Sequence, residues 1–400
     1  MKRRKDNKGR VLEKGESQRK NGLYVFQYKD ATGVRKSIYN KNLSDLRKEE
    51  RRIRRDIEDG VRSDEAEKTT LNELFKRYMS LKSNLANSTR ENYIGLWDGN
   101  IKDSFLGNKR ISDIRKSDIL RFYQSLEDRG LKYSTISFFN GMIAPCLEMA
   151  VDDDLIRKNP CKDCLKKFFK DDAKVKNSLT QIEQKELLNF VQSSAIYAKK
   201  YPMIMVAIGT AMRCGELIGL TWNDVDFAKN KIRVTHQLIY KKKDGKYQFY
   251  IATTKTRAGL REIPMTRDVR EALKAQREYQ FKSGTRTDIT IDGYEDFVFS
   301  TKNKRPIMPS AVNNLLLNIV SAHNKEQEKN EASVILPDIS AHTLRHTGCT
   351  RMAEVGIDVK VLQYIMGHND IKVTMEVYNH VSEERNKKEM EKMEKLRLMG

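Results

Sequence analysis

The sequence predicts a multidomain fold that is mainly α-helical and carries small β-sheets. Its 400 residues exceed one ordinary domain and indicate two or three. Two polar segments, residues 62–68 and 170–178, interrupt the apolar patterning and are interpreted as linkers. Alternating aromatic residues mark the start of the chain, whereas apolar residues at helical spacing dominate the remainder. We therefore expect three domains, at residues 1–62, 68–170 and 178–400.

The first domain is expected to be a three-stranded sheet followed by one helix. Three short runs predict the strands: Arg10–Leu12, Leu23–Tyr28 and Val34–Tyr39. In the second run aromatic residues occupy every other position, so one face packs and the basic face is left for a groove. Apolar residues three to four apart predict a helix over Leu43–Asp59. We interpret the charged residues 51–55 as a solvated face of this helix.

The second domain is expected to contain four helices. Capping boxes at Thr70…Glu73 and Ser88…Glu91 predict where the first two helices begin. The other two are expected near Lys116–Leu126 and from Ser134 to Val151, and Asn159-Pro160 ends the bundle. Cys161 and Cys164 have the spacing of half a zinc site but lack a matching second pair, so we interpret them as incidental cysteines.

The third domain is expected to be mixed α/β. It begins with the capping box Thr180…Glu183 and is mostly helical. A single sheet is predicted from four runs: Lys231–Thr235, His236–Tyr240, Tyr247–Ala252 and Leu260–Ile263. Methionine and leucine residues three apart predict a tail helix over Ser382–Gly400.

Charge and composition indicate a polyanionic partner. The formal net charge is +21 and the isoelectric point is near 9.6, which favours nucleic acid over a membrane surface. Residues 1–48 contain 15 Lys and Arg against 5 Asp and Glu, so about half of the excess lies in an eighth of the chain. No signal peptide or membrane-spanning run is apparent, and five cysteines, an odd number, fit a reducing cytoplasm.

Reactive residue types are concentrated near the carboxyl end. His342 and Arg345 are three apart and share one helical face, and His368 and Tyr378 follow. Arg213 lies directly after an apolar helix, with Glu216 one turn further on to hold it. Phosphoryl transfer to a tyrosine uses these groups: a guanidinium that binds the phosphate, imidazoles beside it and a phenol. His342 and His346 are also four apart, but no Glu follows the first His, so the zinc-protease signature is missing.

These motifs resemble those of the tyrosine recombinase family, the site-specific DNA integrases. Residues 209–222 resemble the family's first arginine box, with Ala211 where Gly is usual, and Thr254-Lys255-Thr256 resembles its β-hairpin lysine. Residues 5–10 and 16–18 are similar to the arm-site-binding domain of conjugative-transposon integrases. The resemblance implies an arm-binding sheet, a helical core-binding domain that closes half of a clamp on DNA, and a catalytic domain.

The resemblance also implies a role for each candidate residue. Arg213 and Arg345 would clamp the phosphate, with His342 as base or hydrogen-bond partner and His368 as a second donor. Lys255 would be the general acid, or alternatively it lines the DNA backbone. Tyr378 would be the nucleophile. This chemistry requires neither a cofactor nor a metal ion.

The partners implied are double-stranded DNA at core and arm-type sites, other copies of the chain in a tetramer, and an excisionase. The resemblance implies excision as well as integration of a conjugative transposon of a Gram-positive bacterium, through a Holliday junction. Two alternatives remain: a type IB topoisomerase-like relaxing enzyme and a catalytically inactive DNA-binding regulator. The second predicts at least one missing catalytic group.

Overall fold

The computed structural model describes residues 4–30, 33–85, 87–165, 169, 178–243, 246–253, 259–328 and 334–379. The chain divides into two compact units, Met1–Lys174 and Val175–Gly400. Most described residues are helical and the sheets are small and antiparallel, which confirms the predicted fold class. Among the helices of the described residues, none is long and apolar enough to cross a membrane.

The first unit begins with a three-stranded sheet and a helix. The strands β1 (Glu16–Gln18), β2 (Tyr24–Lys29) and β3 (Arg35–Asn40) pair antiparallel in that order, and α1 (Leu43–Glu58) follows. One face of the sheet packs on α1 through a small core, as the alternation in β2 predicted: Leu12, Tyr24, Phe26, Leu43, Leu46 and Ile53.

The predicted position of one strand is wrong. Arg10–Leu12 is not a strand of this sheet, since Val11 forms only an isolated bridge with Lys5, and the third strand is Glu16–Gln18. Gly15 enters β1 at φ +98°, where a Cβ would lie 2.8 Å from the carbonyl oxygen of Gln27. Only glycine therefore permits this close approach of the chain to β2.

A helical bundle completes the first unit. It consists of α2 (Ser63–Ala66), α3 (Leu71–Leu81), α4 (Asn87–Asn100), α5 (Lys116–Asp128) and α6 (Tyr133–Asp152). Thr70 caps α3 with Glu73 as predicted. Ser88 lies inside α4 rather than ahead of it, and α2 occupies part of the segment that we interpreted as a linker. The bundle has its own core, in which the rings of Phe75 and Trp97 stack at 3.7 Å.

The second unit contains eight α-helices within its described residues: α7 (Gln181–Ser193), α8 (Tyr201–Thr210), α9 (Cys214–Gly219), α10 (Arg267–Ser283), α11 (Pro309–Gln327), α12 (Ala341–Glu354), α13 (Val359–Met366) and α14 (Ile371–Asn379). The predicted capping box at Thr180 begins α7. Most of the second predicted linker, residues 170–177, lies outside the described residues. The predicted tail helix over Ser382–Gly400 lies entirely outside them.

The strands of the second unit form two sheets instead of the single sheet predicted. A three-stranded sheet joins β4 (Val225–Asp226), β5 (Lys231–Val234) and β8 (Arg261–Pro264). A separate two-stranded ribbon joins β6 (His236–Lys243) and β7 (Lys246–Thr253). The split follows from the register, because β5 pairs with β8 while β6 pairs along its whole length with β7.

Candidate active site

Arg213 lies at the junction of α8 and α9. The helix α8 ends at Ala211, which adopts the left-handed conformation with φ 50°, a conformation for which glycine is usually preferred. Arg213 then precedes α9, and Glu216 accepts hydrogen bonds from its backbone N–H and from its Nη1, both at 2.9 Å. The predicted support of Arg213 by Glu216 is therefore present. The Arg213 side chain stays 41% exposed, so part of its guanidinium faces open space.

Arg345 is buried on α12, the helix that Ser340 caps. Its Nη1 donates to the carbonyl oxygen of Ala211 at 2.7 Å, and its Nη2 donates to that of Met366 at 2.6 Å. Burial, and next the charge of Arg213, lower the pKa of Arg345 to about 10. The guanidinium therefore keeps its charge at neutral pH, and two carbonyl groups fix its plane.

Arg261 on β8 is a third arginine at this site, and the sequence reasoning did not assign it a role. Its side chain is fully buried, and its two Nη groups donate to the two carboxylate oxygens of Glu216 at 2.7 and 3.1 Å. Its Nε donates to the carbonyl oxygen of Ile365 at 2.6 Å. The sequence did contain a signal that Arg261 is buried. Side chains alternate between the two faces of a strand, so Arg261 lies on the same face of β8 as the core residue Ile263.

The three arginines bind three successive carbonyl groups at the end of α13. Arg261 contacts Ile365, Arg345 contacts Met366, and Nη2 of Arg213 donates to the carbonyl oxygen of Gly367 at 2.7 Å. The last carbonyl groups of a helix have no partner within it and carry partial negative charge. This helix end therefore holds together guanidinium groups that would otherwise repel one another.

His368 follows this helix end directly. Gly367 adopts the left-handed conformation with φ 63° and turns the chain, so that Nδ1 of His368 lies 3.0 Å from the hydroxyl of buried Thr374. Burial is the main cause that lowers the pKa of His368 to about 4, and the charges of Arg345 and Arg213 add to it. The imidazole is therefore neutral at pH 7 and offers a hydrogen bond without adding charge.

His342 lies one turn before Arg345 on α12. Its Nε2 is 2.8 Å from Nε2 of His346, so one ring donates and the other accepts. His346 also contributes to the electrostatic environment of His368, which places it beside the same group of side chains. The structure thus brings together Arg213, Arg345 and His368, with His342 joined to them through His346.

The side chains of two predicted site residues lie outside the described part of the chain. Lys255 lies in residues 254–258, outside the described part of the chain. Tyr378 belongs to α14, ten residues after His368, but its side chain is not among those described. Their roles remain predictions.

Among the described residues, the cysteines do not gather ligands for a metal ion. Cys161 and Cys164 are buried, and the Sγ of Cys164 contacts the carbonyl oxygen of Pro160. Across the described ranges, the one group of three candidate ligands is Glu13, Glu16 and Glu50, in the amino-terminal sheet and helix. Arg47 and Arg54 already bind two of these carboxylates.

Comparison with protein families matches three segments of the chain. The family model described as the phage integrase family matches residues 177–385. The DNA-binding domain of Tn916 integrase matches residues 1–63, and the amino-terminal SAM-like domain of phage integrases matches residues 70–127.

Individual proteins match over nearly the whole chain. The transposase from transposon Tn916 of Enterococcus faecalis is 32% identical, over 98% of this chain and 97% of that protein. The transposase from transposon Tn1545 of Streptococcus pneumoniae has the same identity and coverage. A structure of the Tn1549 transposon integrase with a circular intermediate DNA is 31% identical, with a TM-score of 0.72, over 81% of this chain and 99% of that one. This chain belongs to the phage integrase family of site-specific tyrosine recombinases, close to the integrases of conjugative transposons.

Proposed function

We propose that the protein integrates and excises a conjugative transposon by cutting and rejoining DNA through a covalent tyrosine intermediate. The observation that carries this proposal is the arrangement of Arg213 and Arg345, which converge on one helix end from different elements. Each guanidinium has five N–H donors, and the two hydrogen bonds of Arg345 to carbonyl groups leave three for a phosphate. Paired guanidinium groups stabilise the additional negative charge of a pentavalent phosphorane.

In the proposed reaction the Tyr378 oxygen attacks the scissile phosphorus. A bond forms between this oxygen and phosphorus, and the bond from phosphorus to the 5′ oxygen breaks, so a 3′-phosphotyrosine and a 5′-hydroxyl result. Lys255 donates the proton that the leaving oxygen needs, and His342 accepts or positions the tyrosine proton. His368 donates a hydrogen bond to a phosphate oxygen. The intermediate keeps the energy of the phosphodiester, so rejoining is the reverse reaction with a new 5′-hydroxyl.

The proposed partner is double-stranded DNA, at core sites for cleavage and at separate arm-type sites for the amino-terminal domain. Structures of the Tn1549 relative are known in complex with transposon right-end DNA and with circular intermediate DNA. By analogy with the family, we expect four copies to act on two sites through a Holliday junction. An excisionase would direct the reaction toward excision.

A nicked suicide duplex that contains the core site tests the proposal. The fragment beyond the nick is lost after cleavage, so the covalent protein–DNA adduct accumulates and survives denaturant. Tyr378→Phe should bind DNA with the same affinity and form no adduct, because it removes one oxygen and no charge. Cleavage should persist in excess chelator. A denaturant-resistant adduct with Tyr378→Phe would show that Tyr378 is not the nucleophile, and absence of adduct with the unaltered chain would contradict the function.

A further inference from the structure

A row of basic side chains runs along α1 on the side that faces away from the sheet. Its members are exposed and lie at positions i, i+3, i+4 and i+7: Lys48, Arg51, Arg52 and Arg55. Residues at this spacing share one helical face. At 100° per residue, the centre of the row lies nearly opposite Leu46 and Ile53, which pack against β2. The helix therefore has an apolar face on the sheet and a basic face behind it.

The basic row lines one wall of a cleft of about 340 Å³. Arg157, which follows α6, lies on the other wall, and Asp56 is the one acidic residue that lines it. Nε of Arg157 donates to Asp56 at 2.7 Å, and its Nη1 pairs with Asp59. The charge of Arg157 is thus shared between two carboxylates, and the four basic side chains of the row give the cleft its positive charge.

The basic row has few internal counterions. Within the part of the chain that the structure describes, no carboxylate oxygen lies within 4 Å of the guanidinium of Arg51 or Arg55. Lys48 and Arg52 have only long, exposed pairs, at 3.6 Å with Asp45 and 3.9 Å with Glu67. Exposed ion pairs at these distances contribute little free energy because solvent screens the two charges. The cleft therefore keeps a positive potential that an external anion can neutralise.

We propose that this cleft binds the phosphodiester backbone of duplex DNA, on the side of α1 opposite the sheet. The inference rests on the proposed function, because it takes DNA as the polyanion. Seven residues of helix span about 10 Å, and one DNA strand carries a phosphate for about every 3.4 Å of axis. The row from Lys48 to Arg55 thus matches about three phosphate steps of one strand rather than one small anion.

The location of the cleft gives the first unit two separate surfaces for DNA. The outer face of the sheet carries Lys29 and Arg35, which pair across β2 and β3, and it lies on the other side of the domain from the basic row. Arg157 joins the row to the helical bundle, so DNA bound in the cleft contacts both parts of the unit. The interpretation of residues 51–55 as only a solvated face does not account for the cleft that they line together with Arg157.

The test uses the full chain with Arg51→Gln and Arg55→Gln combined. Both side chains are exposed, and glutamine has nearly the helix propensity of arginine, so the unfolding midpoint should not change. The control combines Lys274→Gln and Lys282→Gln, which removes the same charge from lysines that already pair with Glu271 and Glu278. Binding of a 30-base-pair duplex of arbitrary sequence is measured at several salt concentrations.

The expected result is a smaller slope of log affinity against log salt for the arginine variant. Removing one arginine–phosphate ion pair should reduce the slope by about 0.9, so the two substitutions together should reduce it by about 1.8. The lysine control should keep the slope of the unaltered chain. An unchanged slope in the arginine variant, or an equal reduction in the control, would overturn the proposal.

Adduct formation on the suicide duplex separates this proposal from the proposed function. If the unaltered chain forms no adduct, the proposed function fails, whereas the salt slopes still decide whether the cleft binds DNA.

Discussion

Single residues at the candidate site depend on the shape of their side chains as much as on their charge. Arg345 donates to carbonyl groups on two different elements, at Ala211 and Met366, and is buried while it does so. A planar guanidinium can make both contacts and still direct three N–H donors elsewhere, whereas an ammonium group has three donors in all and would keep only one. The arginine is therefore both a structural connection and a candidate phosphate ligand.

Arg345→Lys should reduce single-turnover cleavage by about 100-fold or more, the usual effect of losing one donor to a developing oxyanion. The charge is kept, so DNA affinity should change little. Arg351→Lys is the matched control, because Arg351 lies on the same helix and also donates to a carbonyl oxygen, that of Leu179, at 2.8 Å. Equal losses in the two variants would mean that the helix, and not the site, is sensitive to the change.

His368 should make the stability of the protein depend on pH in a definite direction. Its pKa is about 4 in the fold and near 6.5 in an unfolded chain. Between these pH values the unfolded state binds more protons than the folded state. The contribution of His368 to the free energy of unfolding is therefore present above pH 6.5 and is lost as the pH falls toward 4. His368→Gln should lose less stability between pH 7 and pH 4, measured by urea unfolding. Equal losses would contradict the lowered pKa.

At the scale of elements, local signals predicted most helices, but contacts distant in sequence were not predicted. Thr70 and Thr180 begin helices as expected because a capping box is complete within four residues. The third strand was placed wrongly because Glu16–Gln18 has no strand-like composition, and its pairing depends on β2. Glu216 and Arg261 are 45 residues apart, so their pairing could not be deduced from spacing alone.

The approach of α12 to α8 depends on Gly348. A Cβ at this position would lie 2.0 Å from the carbonyl oxygen of Ile208, which is backbone and cannot rotate away. Gly348→Ala should lower the free energy of unfolding by at least 1–3 kcal/mol, the usual cost of overpacking. It should also weaken cleavage, because α12 carries Arg345.

Gly141→Ala is the control for this prediction. Gly141 is exposed on α6, and a Cβ there meets nothing within 4 Å. This variant should raise the free energy of unfolding by about 0.5–1 kcal/mol, because alanine restricts the unfolded chain and favours the helix. Denaturant unfolding of both variants decides the matter, and a stable Gly348→Ala variant with full activity would refute the close packing.

Arg261 connects β8 to both α9 and α13. Arg261→Gln would leave the buried carboxylate of Glu216 with Arg213 as its remaining cationic partner, and breaking a buried pair in this way costs about 3–5 kcal/mol. Below its lowered melting temperature, the variant should cleave slowly because the end of α13 loses one of the three arginines that hold it. Arg270→Gln is the control. It removes an arginine on α10 that donates to the carbonyl oxygen of Phe227, and it should change cleavage little. Full activity of Arg261→Gln would remove Arg261 from a positioning role.

At the scale of the whole molecule, the division into three domains is still a prediction, but the cores of the first unit support one boundary. The sheet and α1 enclose their own core, and the helical bundle encloses another, with no buried member in common. Ion pairs connect the two parts: Arg157 pairs with Asp56 and Asp59, Lys36 with Asp64, and Arg52 with Glu67. At the junction, Arg62 donates to the carbonyl oxygens of Asp153 and Asp154.

Deleting residues 1–61 should therefore leave a protein that folds and cleaves a core-site suicide duplex at an unchanged rate. The deletion stops before Arg62, so its hydrogen bonds to Asp153 and Asp154 are kept. The deletion removes Lys36 and Arg52, the partners of Asp64 and Glu67. Arg157 loses two carboxylate partners, but its side chain is 37% exposed, so water replaces them at a cost of about 1 kcal/mol or less. Binding to arm-type DNA should be lost together with the basic row of α1. Calorimetric unfolding and adduct yield are the measurements, and a truncated chain that aggregates or cannot cleave would show that the two cores are one folding unit.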